Sequence, residues 1–155
     1  MADVLPDAAQ RAALQPVLQQ FADRVEGVRS VVLASVDGFA LVQAGTTGNG
    51  ERLAAMTSAM LALAAAVGHE LQLGPLQTLM LEAGQGKVLM LALPAPHASL
   101  LLMAGCDQRS VIGQVLWNAR ECGQAILAEL GGGTSHAAGI PEAPVMHEGG
   151  GRWQV

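Results

Sequence analysis

The sequence predicts an α+β sandwich: a five-stranded antiparallel sheet in the order 2-1-5-4-3, with one helix on one face and two on the other. Three observations carry this. The apolar period alternates between 3.6 and 2 in the order helix, two strands, helix, three strands, helix. Turn residues (Asp37-Gly38, Gly84-Gln85-Gly86 and Pro94-Ala95-Pro96-His97) separate consecutive strands closely enough for antiparallel hairpins. Third, the stretch Glu51–Gly74, ERLAAMTSAMLALAAAVGHELQLG, is close to apolar all round, with only Thr57 and Ser58 polar between Leu53 and Val67. A helix without a charged face needs cover on more than one side. One sheet covers one side, so the pattern predicts a second subunit on the other.

Taken in order, Asp7 is placed to cap a helix beginning AAQRAAL. Pro16 predicts a break near Gln15 or a fresh start with proline in the first turn. Val17, Leu18, Phe21 and Val25 recur at helical spacing up to Gly27. Val28–Ala34 is short and β-branched, so it reads as a strand. Asp37-Gly38 predicts a hairpin turn, because both residues tolerate positive φ, and Phe39–Ala44 the return strand. Asn49 or Thr47 is placed to cap the central helix. Gly74-Pro75 is placed to end it.

Gln77–Ala83, Lys87–Leu93 and Ala98–Ala104 form a meander. Their near-continuous Leu and Met predict cover on both faces. Asp107–Ser110 starts a last helix whose apolar face is Val111, Ile112, Val115, Leu116, Ala119, Cys122, Ile126 and Leu130, with Trp117 at its edge. Residues 1–14 read as a flexible or short helical lead, 15–130 as the folded domain, and 131–155 as a disordered Gly/Pro-rich tail. In that tail Met146 and Arg152–Val155 are the candidates for a specific contact.

Composition narrows the function classes. Of 155 residues, 51% are hydrophobic and 14% charged, enough apolar material for a core and an interface. The net charge of −5, scattered basic residues and the absence of Tyr argue against a nucleic-acid surface. The uncharged run Leu53–Gly68 is shorter than the roughly 20 residues a membrane span needs. Met1–Gln10 lacks a basic start and an apolar core, so a cytoplasmic protein is the expectation. Cys106 and Cys122 read as buried thiols in a reducing compartment.

No catalytic or cofactor constellation is legible. His69, His97, His136 and His147 show no metal-ligand spacing, and no metal or cofactor is expected. Ser35, Ser58, Ser99 and Ser110 lack a nucleophile-elbow context. No phosphate loop is present, since strands flank Gly84–Lys87 on both sides. Asp37 reads as turn chemistry. Arg29, Arg52, Arg109 and Arg120 read as solvent or edge contacts rather than arginine fingers.

The chain resembles the Roadblock (dynein light-chain Roadblock, longin-like) family over about residues 15–130. The resemblance is carried by VRSVVLASVDGFALVQAG (Val28–Gly45), the Ala-rich helix and QTLMLEAGQGKVLMLAL (Gln77–Leu93). It implies a homodimer or heterodimer with a sheet continuous across both subunits. It further implies a non-catalytic partner of a small Ras-like GTPase, or a scaffold subunit. On this reading the strand Gln77–Ala83 is an edge that needs a partner. The expected contacts are Met56, Met60, Leu63 and Val67 on the helix and Thr78, Met80 and Glu82 along the edge. A small-ligand or profilin-like domain is the alternative, with a pocket between sheet and helix near Thr57, Ser58 and His69.

Overall fold

The computed structural model describes residues 4–46, 48–95 and 98–131. The order is α1 (Ala8–Arg24), β1 (Val28–Ser35), β2 (Ala40–Gly45), α2 (Gly50–Glu70), β3 (Thr78–Ala83), β4 (Gly86–Leu93), β5 (Leu100–Asp107) and α3 (Ile112–Gly131). The strands form one antiparallel sheet in the order β2-β1-β5-β4-β3. Fold class and strand order are therefore those the sequence predicts.

The period-2 pattern divides the core in two. Val31 and Leu33 of β1, Leu89 and Leu91 of β4, and Leu100, Leu102 and Ala104 of β5 point to one face. There they meet Leu14, Leu18 and Phe21 of α1 and Val115, Ala119 and Ile126 of α3. Val32, Ala34, Met90, Leu101 and Met103 point to the other face, against Ala54 and Leu61 of α2. Across this second face the strand register lines up two rows. One is Ser30, Gly105, Val88 and Leu81; the other is Val32, Met103, Met90 and Leu79.

Several boundaries depart from the sequence reading. α1 does not break at Pro16. It runs unbroken from Ala8, with Asp7 in a capping box with Gln10. Pro16 and Ala12 lie on the exposed side, where water can take the Ala12 carbonyl that proline's missing N–H leaves free. Packing of Leu14 and Leu18 holds the helix together across the lesion.

The β1–β2 turn is a three-residue loop, Val36-Asp37-Gly38, rather than a two-residue one. Gly38 N–H donates to Ser35 O and Ser35 N–H to Phe39 O, and only Gly38 takes positive φ. A bulge between Leu33 and Ala34 absorbs the extra residue. Asn49 caps α2, its side chain accepting from the Arg52 N–H at 3.2 Å. Thr47 and His97 lie outside the described residues, as does the tail beyond 131, with His136, His147 and Arg152–Val155.

α2 stops before Gly74. Leu73 N–H donates to Gly68 O and Gln72 N–H to His69 O, the paired bonds of a Schellman cap, with Gln72 at φ +56°. A glutamine fills the position that usually takes glycine, which is why sequence reasoning placed the stop two residues late. At 21 residues, α2 has the length and composition of a membrane span, longer than its uncharged run indicates. In the fold it lies on the sheet through Ala54, Thr57 and Leu61. β5 continues to Asp107, so α3 begins at Ile112. Val111 precedes the helix and is exposed instead of joining its apolar face.

Two stability outcomes follow. Gln72→Gly relieves the left-handed strain and raises unfolding stability by about 0.5–1 kcal/mol. Leu18→Ala opens a cavity between α1 and the sheet and lowers it by about 2–5 kcal/mol. Urea denaturation measures both.

Candidate interaction surface

α2 has two populations of apolar side chains. Gly50, Ala54, Thr57 and Leu61 follow helical spacing and are buried on the sheet. Met56, Met60, Leu63 and Val67 form a second stripe along the flank nearest β3. Met60 is half-buried, whereas Met56 is 54% exposed, Leu63 69% and Val67 52%. The opposite flank carries alanines and Ser58 and meets the β1–β2 loop at its start. Gly38 of the β1–β2 loop packs on Ala55, and the Ser58 hydroxyl donates to the Val36 carbonyl. Exposed apolar surface is therefore concentrated on one side of the helix. It continues through Leu71 and Leu73 past the helix end.

β3 lies beyond the cover of α2. β4 and β5 are covered on both faces, as the Leu- and Met-rich runs predict, whereas β3 is not. From Met80 to Ala83 the strand is exposed. The reason is width: α2 sits over β1, β2, β5 and part of β4, and α1 and α3 cover β1, β2, β4 and β5 from the other side. Two connected hollows lie between α2 and the β3–β4 half of the sheet. One, of about 490 Å³, lies under the first half of α2. The other, of about 790 Å³, lies beside the second half, between Leu63 and Val67 on the helix and Leu76 and Leu79 on the sheet side.

The two sheet edges differ. At β2, Gln15 of α1 donates its side-chain N–H to the Gln43 carbonyl at 2.7 Å. Helices pack on β2 from both faces. At β3, among the described residues, pairing is with β4 alone. One edge is guarded, and the other presents unpaired backbone groups beside an apolar stripe.

The sequence-derived contact residues separate into two groups. Met56, Met60, Leu63 and Val67 come together on one flank. Thr78, Met80 and Glu82 lie on the edge strand, but they are paired with Leu91, Leu89 and Lys87, so they point to the α1/α3 side of the sheet. The β3 residues sharing a face with the α2 stripe are Leu79 and Leu81, which sequence reasoning missed. The strand parity of TLMLEA held the signal, but a run of successive large apolar residues hides which ones face the helix.

Thr57 and Asp107, near this surface, have their polar groups tied up. Thr57 Oγ1 donates to the Leu53 carbonyl at 2.7 Å. Asp107 accepts from Arg29 at 2.7 Å and from Arg109 at 3.0 Å. Hydrogen bonding to Arg109 chiefly, and to Arg29, lowers its carboxyl to about 2 from an ordinary 3.8. A carboxyl lowered in the folded state stabilises above its ordinary range, so this contribution fades as pH falls from about 4 through 2. His69 is exposed at the far end of α2. Among the described residues no three His, Cys, Asp or Glu side chains cluster as a metal site would need. Cys106 and Cys122 are free and buried, as expected.

A model of the Roadblock/LC7 domain matches residues 14–104. Solved structures similar in fold include three MglB proteins. Myxococcus xanthus MglB is 13% identical, with a TM-score of 0.72 over 86% of this chain and 99% of that one. An MglB with a tetrameric arrangement is 17% identical, with a TM-score of 0.72 over 86% and 98%. The gliding protein MglB of Thermus thermophilus is 19% identical, with a TM-score of 0.68 over 83% and 95%. Comparison with curated proteins finds no match.

Burial raises the Cys106 thiol and pushes Cys122 up to about 12. Both stay protonated at pH 8, and the thiolate is the reactive form. An aromatic disulfide reagent at pH 8 is expected to modify the native chain about tenfold or more slowly than the urea-unfolded chain, with Cys122 the slower of the two.

Proposed function

The chain belongs to the Roadblock/LC7 domain family, and from that premise we propose that it is a non-catalytic, two-fold dimeric platform that binds and regulates a small Ras-like GTPase. The observation that carries the dimer is the coincidence of two deficits on one side of the molecule. The Met56, Met60, Leu63 and Val67 stripe lacks cover, and the neighbouring β3 edge lacks a strand partner. One isologous interface relieves both. The β3 edges, carrying Thr78, Met80 and Glu82, pair with each other across the axis. The α2 stripes pack together over Leu79 and Leu81. Burying a side chain such as Leu or Val is worth about 1.5–3 kcal/mol relative to exposure, so several per protomer outweigh a typical association cost. The partner chain is either a second copy or a related Roadblock subunit.

The GTPase follows from the family, whose members are adaptor and regulator folds. It also suits a surface with no catalytic constellation among the described residues. Methionines at the seam suit an adaptable binding face. A cytoplasmic setting fits two free thiols held in the core.

Multi-angle light scattering is expected to give twice the 15.9 kDa chain mass. Leu63→Glu with Val67→Glu places charge in the seam while leaving the sheet-facing residues untouched, and is expected to give a folded monomer. A wild-type monomer at high concentration would sink the dimer. Immobilised chain should capture a Ras-like GTPase of the same genome in a nucleotide-dependent way; equal capture of GTP-loaded, GDP-loaded and unrelated GTPases would sink the regulatory reading.

A further inference from the structure

The hollow under the first half of α2 has features a protein seam does not need. Its floor is the row in which Ser30 faces Gly105 and Gly105 faces Val88. Gly105 is not required by close packing. A Cβ there would stand 3.8 Å from Ser30 Cβ, in ordinary contact. The missing side chain therefore leaves space that a larger residue could occupy. Ser30 is 5% exposed, and its hydroxyl has no hydrogen-bond partner among the described residues. Buried hydroxyls without partners are uncommon and costly. The other hydroxyl lining the hollow, that of Thr57, is already satisfied by its own helix. The rest of the lining is mainly Met56, Met60, Met90, Met103 and Leu81, flexible and apolar. At about 490 Å³ the volume lies within the range of small-molecule sites.

We infer that this hollow is a small-molecule site for a straight-chain amphiphile, whose tail lies along the methionines and whose head hydrogen-bonds the Ser30 hydroxyl. The head is small, because Ser30 is nearly buried and a Cβ on Gly48 would come within 4.0 Å of its Oγ. A hydroxyl both donates and accepts, so a carboxylate or an alcohol satisfies it. Arg29, Lys87 and Asp107 line the same hollow. Asp107 is already paired with Arg29 and Arg109, and Lys87, with no ion pair among the described residues, is the cation that favours an anionic head. The site is complete within one protomer and does not rest on the dimer.

Decanoic acid, below its micellar concentration, is the probe, titrated calorimetrically into the full chain with the oligomeric state measured on the same samples. Saturable binding of one molecule per protomer is expected. Gly105→Val, which fills the floor, should weaken it tenfold or more. Ser30→Ala should weaken it about fivefold, the worth of one hydrogen bond. Methyl NMR of the wild-type chain is the second readout. The signals of Met90 and Met103 should shift with decanoate, while Met80, on the opposite face of the sheet, should not. Absence of saturable binding, unchanged affinity in a folded Gly105→Val, or, at unchanged oligomeric state, a Met80 shift as large as that of Met103 would overturn the site. Unchanged affinity in Ser30→Ala would overturn the assignment of the head.

Discussion

One helix lies over a sheet wider than itself, and most of the surface chemistry follows from that mismatch. α2 contributes Ala54, Thr57 and Leu61 to the sheet, small or medium side chains that let it sit close over β1, β2, β5 and part of β4. Close seating leaves it no reach toward β3. The residues that remain on its β3 flank are large and apolar, and of them only Met60 packs against the core. On the other face two helices share the sheet, and the core there is correspondingly larger and closed. The molecule is finished on one face and unfinished on the other.

The edges repeat that asymmetry at the level of the backbone. β2 is closed by helices on both faces and by a glutamine side chain on one of its carbonyls. β3 has neither. An exposed edge is an aggregation hazard that natural sheets usually blunt with charge, proline or a bulge. Here Glu82 is the one acid along the strand and Pro75 stands before it, while Leu79, Met80 and Leu81 occupy its middle. Tolerance of so lightly defended an edge is what a strand held in reserve for a partner requires.

Much of the fold was legible because the signals were redundant. Short turns made neighbours of β1 and β2 and of β3, β4 and β5, and each apolar run was long enough to survive an error of a residue or two at its end. The misplaced boundaries share one cause: a local rule was outvoted by packing. Pro16 should have ended a helix, but Leu14 and Leu18 anchor both sides of it. Gln72 occupies a glycine's place because the Schellman bonds to Gly68 and His69 hold it there. On the candidate surface the α2 stripe was legible from helical spacing. The facing pair on β3 was not, since successive Leu and Met side chains conceal strand parity. Ser30 was invisible for a further reason. A serine in a strand carries no mark of being unpartnered until the opposite residue proves to be a glycine.

The two unfinished features are linked through shared residues. Met56 and Met60 border the hollow above Ser30 and also begin the stripe assigned to the seam. A ligand that fixes their rotamers sets the shape the second copy meets, and a second copy that packs on them roofs the ligand. Two binding events that draw on the same side chains share a coupling free energy, and each must change the affinity of the other by the same factor. Flexible methionines keep that factor moderate, because they can repack around either occupant. The sign depends on whether the rotamers that admit the ligand are those the seam prefers. With an empty floor at Gly105 the methionines have room to fold inward. A filled floor holds them outward, toward the partner, so the geometry favours positive coupling: the occupied chain is the better dimer.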